Sequence, residues 1–111
     1  MRRSHTAVVE RNTTFDSDFA TEPFECAWAG EARWFIRVLD MAGPNTRLSA
    51  RAQVSPDGLN WCDEGSRFPE ISEAGLYTLP LRDFGGWLRL DCQVGGREPA
   101  VKVLIYLVLK E

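Results

Sequence analysis

The clearest pattern in the chain runs from Thr46 to Trp61. Leu48, Ala50, Ala52 and Val54 are apolar and alternate with Arg47, Ser49, Arg51 and Gln53. A period of two puts the sets on opposite faces of a strand. Ser55-Pro56-Asp57-Gly58 follows as a tight turn. Proline presets φ, aspartate bonds to nearby backbone and glycine accepts positive φ. The chain returns through Leu59-Asn60-Trp61 toward Asp63, which predicts a hairpin.

The same period recurs along the sequence. Phe24, Cys26 and Trp28 alternate with Glu25, Ala27 and Ala29 and predict a strand. Ala32 to Leu39 predicts another, with Trp34, Ile36 and Val38 on one face and Arg33, Phe35, Arg37 and Leu39 on the other. Arg67 to Ile71 contains Pro69, and Leu76 to Leu81 contains Pro80. Proline deletes a ladder donor, so both segments read as edges. In Trp87 to Val94, Leu88, Leu90, Cys92 and Val94 face inward, and Trp87, Arg89, Asp91 and Gln93 face outward. Ala100 to Lys110 predicts a central final strand.

Eight or nine short strands joined by Gly/Pro-rich turns, without a convincing helical period, define an all-β protein. The economical arrangement is a two-layer antiparallel β-sandwich with jelly-roll or Greek-key connectivity, and a small closed barrel is the alternative. Residues 22–111 are expected to form the sandwich. Residues 1–21 are expected to form an N-terminal arm, with His5 to Glu10 as a candidate edge strand and Arg11 to Thr21 laid over a sheet. The last strand is apolar on both faces. Leu104, Tyr106 and Val108 would be an aggregation hazard if left bare. Either the arm covers them or another subunit does. With Phe35 and Leu39, they are the candidate interface of a homo-oligomer.

With 111 residues there is material for one domain. The net charge of −3 argues against a general nucleic-acid binder. Only Lys102 and Lys110 among the 13 basic residues are lysines, a bias that suits paired arginines better than loose phosphate attraction and that a GC-rich genome would equally produce. Cys26, Cys62 and Cys92 show no CxxC spacing, so a dense disulfide framework is not expected. Three reduced thiols, or one bridge with one free thiol, both fit. The first apolar run is too short for a signal peptide, and no stretch reaches the length of a membrane helix. The expected location is the cytoplasm or an assembled particle.

Candidate chemistry is sparse. Asp63 and Glu64 are adjacent, and neighbours on a strand point to opposite faces. His5 is the only histidine, so a Ser-His-Asp triad or Cys-His pair would depend on a terminal residue. No cysteine spacing suggests zinc. No catalytic residue, metal or cofactor is expected. Trp34 reads as core, Trp28 shares a face with Phe24 and Cys26, and Trp61 packs over its hairpin. Trp87 lies on the polar face of its strand beside Arg89. With Arg89 and Arg51 it is the candidate ligand platform, since an exposed indole stacks on a sugar ring. A subunit contact and internal packing under the N-terminal arm are the other two readings of Trp87. Arg33, Arg37, Arg47, Arg51 and Arg89 would form a salt-bridged belt if their strands are neighbours.

Ser55-Pro56-Asp57-Gly58-Leu59-Asn60-Trp61 resembles the SxDGxxW hairpin of discoidin-like sandwich modules, many of which bind carbohydrates or surfaces. There the motif is mainly structural, so the resemblance implies a fold element and transfers no binding residue. The chain departs from those domains in being shorter and in having no cysteine near either end. Its overall plan is similar to small β-sandwich proteins of viral or phage particles, including head-decoration proteins. That similarity implies a non-enzymatic structural or assembly protein, with itself and other particle proteins as partners. The alternative expectation is a carbohydrate- or ligand-binding module with a glycan partner.

Overall fold

The computed structural model describes residues 3–111 and is a two-sheet antiparallel sandwich. Nine strands follow in order: β1 (Ser4–Phe15), β2 (Phe19–Ala20), β3 (Phe24–Glu25), β4 (Glu31–Ala42), β5 (Arg47–Ser55), β6 (Cys62–Arg67), β7 (Gly75–Arg82), β8 (Trp87–Gly95) and β9 (Ala100–Lys110). One sheet has the order β1-β9-β4-β7, and the other β2-β8-β5-β6 with β3 also paired to β8. The pairs are nested: β1 with β9, β2 and β3 with β8, β4 with β7, β5 with β6. A long hairpin rolled over itself gives this jelly-roll pattern. Among the described residues no ladder joins the two sheets, so the sandwich is open and the barrel alternative is set aside.

Alternation places the core. Trp34, Ile36 and Val38 on β4, and Val101, Val103, Ile105, Leu107 and Leu109 on β9, face Leu48, Ala50, Ala52, Leu88, Leu90 and Cys92 of the other sheet. Trp34 is fully buried, and its Nε1–H lacks a hydrogen-bond partner. Burying roughly 200 Å² of indole contributes about 5 kcal/mol. An unpaired N–H costs about 1–3 kcal/mol, so the ring stays inside.

Three segments differ from the sequence expectation. The strand expected from Phe24 to Ala29 shrinks to Phe24–Glu25, because the Ala29 N–H donates to the Cys26 carbonyl at 3.0 Å and closes a turn. The return of the first hairpin starts at Cys62, because Asp57 holds Leu59 and Asn60 in the turn. The third is the expected arm, 1–21, whose Met1 and Arg2 lie outside the described residues. Arg11 to Thr21 does not lie over a sheet. β1 continues through it to Phe15 and pairs edge-on with β9. β2 and Thr21 then extend the other sheet along β8. Thr21 accepts the Leu90 N–H on its Oγ1 and donates its own N–H to Leu90, both at 2.9 Å. Unpaired edges of β8 and β9 are better partners for backbone than an already paired sheet face.

Candidate functional site

The outer face of the β1-β9-β4-β7 sheet gathers most of the interface candidates. Cross-strand register sets Phe35 opposite Tyr106, and Tyr106 opposite Val8. Val108 lies between Thr6 and Arg33, and Leu104 beside Arg37. β7 extends the face with Leu76, Thr78 and Pro80, opposite Arg37, Phe35 and Arg33. The described part of the expected arm, 3–21, does not shield this face, since β1 sits beside β9 and not above it. Leu39 is the candidate not brought into the row. It lies at a bulge between Val38 and Asp40, out of register with β9. Val8 and Leu76, at 38% and 63% exposure, are members the sequence reading passed over. The signal for Leu76 was available, since Tyr77, Leu79 and Leu81 facing inward turn Leu76 outward.

A concavity of about 400 Å³ opens at one end of this face, with Phe35, Pro80 and Val108 in its lining beside Arg33, Arg82, Lys110 and Glu31. Arg33 donates from Nη1 to Thr78 Oγ1 at 3.1 Å, and Arg82 lies 3.8 Å from Glu31. The floor is apolar, and the rim is net cationic, with Arg33, Arg82 and Lys110 against the single carboxylate of Glu31.

The ligand-platform candidates lie on the outer face of the other sheet. Arg51 reaches Asp91 Oδ2 at 2.8 Å from Nη2 and Asp63 Oδ2 at 3.2 Å from Nη1. Gln53 donates to Asp63 at 3.0 Å and accepts from Arg89 Nε at 2.8 Å. The Arg89 guanidinium stacks 4.5 Å from the Trp61 ring centroid. Gln53 is therefore buried although it belongs to the polar face of its strand, a role that alternation alone does not reveal. Trp87 stands apart from this network. Gly58, at φ +79°, packs on its indole so closely that a Cβ there would meet the ring at 3.2 Å. Beside the network is a cavity of about 300 Å³ lined by Ser49, Arg51, Arg67, Glu70, Asp91 and Gln93. The expected arginine belt does not form, because Arg33 and Arg37 lie on one sheet and Arg47, Arg51 and Arg89 on the other.

Among the described residues no group of three or more His, Cys, Asp or Glu side chains converges to hold a metal. His5 is exposed on β1, its ring 6.0 Å from that of Phe24. All three cysteines are free, with Cys26 and Cys92 buried and Cys62 exposed. Burial, with Glu25 nearby, pushes the Cys26 thiol up to about 12, and burial likewise raises Cys92. Both are neutral thiols at physiological pH, unlike reactive thiolates.

No protein-family model matches the chain, and no curated protein matches it in sequence. Solved structures share its fold. The SPBc2 prophage-derived protein YomS superposes with a TM-score of 0.62 at 9% identity, over 100% of this chain and 96% of YomS. The PBSX exported protein XepA gives 0.58 at 7% identity, over 98% of this chain and 36% of XepA. A chain of the infectious bursal disease virus Gx strain gives 0.55 at 10%, over 100% of this chain and 38% of that one. At such identities the likeness is one of fold: a jelly-roll β-sandwich module.

Proposed function

We propose that this protein is a non-enzymatic structural module that self-associates through the outer face of its β1-β9-β4-β7 sheet. The setting we propose is a larger protein particle or the cytoplasm where it assembles. One observation carries the reading: the row Val8, Tyr106, Phe35, with Leu104, Val108 and Leu76 beside it, has no covering element among the described residues. Contiguous apolar surface of this kind marks interaction sites. The fold likeness to a prophage-derived protein and to a viral chain supports the particle setting.

Light scattering on a sizing column, at two protein concentrations, tests it. The expected mass is a defined multiple of 12.5 kDa. Tyr106→Lys is expected to give a folded monomer, because a lysine ammonium is costly to desolvate in the centre of the contact. A wild-type monomer, or an unchanged Tyr106→Lys oligomer, overturns the reading.

The second reading is a carbohydrate- or ligand-binding module on the opposite sheet. The cavity beside Arg67 and Glu70 favours it, whereas Trp87 is occupied by Gly58. A monomeric chain would turn attention to that cavity.

A further inference from the structure

The charges around the apolar row decide how two copies can meet. Register and alternation put Arg33, Arg37, Arg82, Lys102 and Lys110 on this face, against Glu31 and Asp40. The face thus carries three positive charges in excess. The whole chain carries −3, so all its other residues together carry six negative charges in excess. A two-fold contact sets one patch against itself. Here that would bring two cationic faces together, with Arg37, Lys102 and Lys110 meeting no ion-pair partner among the described residues of their own chain. The complementary charge is on a different surface of the same chain.

The β5–β6 hairpin tip supplies that surface in a preformed shape. Leu59 is 82% exposed, the most exposed large apolar side chain among the described residues. It is held there by its neighbours. Asp57 Oδ1 accepts the N–H groups of Leu59 and Asn60, both at 2.9 Å, and Ser55 Oγ accepts that of Gly58 at 2.8 Å. Asp57 Oδ2 accepts from Asn60 Nδ2 at 2.8 Å and retains a free lone pair. An apolar knob beside a carboxylate matches an apolar floor with a net cationic rim. The backbone that carries the knob is already fixed by these bonds, so it has little freedom to lose on binding.

Granting the self-association proposed above, we infer that it is heterologous: the Asp57–Leu59 tip of one copy inserts into the concavity between Phe35, Pro80 and Val108 of the next, with Arg33 and Lys110 facing Asp57. Such a contact closes into a ring or continues as a filament, depending on the rotation between copies. It leaves a free tip at one end of any open chain and a free concavity at the other.

Mixing two variants tests this separately from the parent reading. Leu59→Lys spoils the tip and leaves the concavity intact, while Val108→Glu sets a carboxylate in the concavity against Asp57 and leaves the tip intact. Circular dichroism checks that each folds. Each alone is expected to be monomeric, and an equimolar mixture is expected to form a dimer of twice 12.5 kDa that grows no further. Wild-type association is expected to weaken about tenfold as salt rises from about 0.05 M to about 0.5 M, because opposite charges meet across the contact. If wild type assembles but Leu59→Lys assembles equally well, or the mixture stays monomeric, or salt strengthens the contact, the heterologous geometry is wrong while self-association stands. A monomeric wild type removes both.

Discussion

Asp57 shows how one residue in a turn acts beyond its own position. Its carboxylate accepts hydrogen bonds from the backbone of Asn60 and Leu59 and from the side chains of Asn60 and Ser55. Those bonds favour the charged form and hold its pKa well below the usual carboxylate range. A depressed folded-state pKa contributes stability that is present above the unfolded pKa of about 4 and is lost as pH falls below it. Asp57→Ala is therefore expected to unfold at lower denaturant than wild type at pH 7, with the difference narrowing by pH 3. Denaturation curves at the two pH values check this, and an equally wide gap at pH 3 would refute it. The turn and its aspartate were readable from Ser55-Pro56-Asp57-Gly58. That the same aspartate also delays the return strand to Cys62 was not, because the extent of a cap depends on atoms meeting in space.

Among the elements, the turns at one end of the sandwich are interlocked. Gly96, at φ +123°, sits where a Cβ would lie 2.9 Å from the Asn45 carbonyl oxygen and from Thr46 Cα. Thr46 Oγ1 in turn donates to the Ala42 carbonyl at 2.7 Å. The β4–β5 and β8–β9 connections are thus packed backbone against backbone. Gly96→Ala is expected to cost about 2 kcal/mol or more, from the left-handed φ and the clash together. Thermal unfolding checks it; a Tm equal to wild type would show that these loops have room to move apart. Alternation located most strands within a few residues, since inward and outward positions differ in burial. It failed from Arg11 to Thr21. There the edge strands are held by backbone bonds to β8 and β9, and short edge segments carry little apolar signature of their own.

For the whole molecule, nested pairing makes the first and last strands neighbours. β1 protects the edge of β9, a strand with apolar side chains on both faces. Removing residues 1–16 bares that edge and is expected to produce aggregation in place of a defined oligomer. Sedimentation or light scattering of the truncated chain reads this directly, and a soluble, folded product would show that β1 is dispensable. The same nesting gathers cations from β4, β7 and β9 onto one face of a net acidic protein. That charge separation favours head-to-tail over face-to-face contact.

The sequence by itself determined the all-β class, the inward sets on β4, β5, β8 and β9, and the two-faced last strand. Each follows from a local period of two and the cost of leaving apolar side chains in water. Only the tertiary structure decided which strands lie side by side. That decided that Phe35 and Tyr106 share a row, that Leu39 drops out at a bulge, and that the arginines divide between two sheets. It also decided that Gly58 covers Trp87. These are contacts between residues distant in sequence. They depend on register and strand order, which local alternation constrains only to a choice of face.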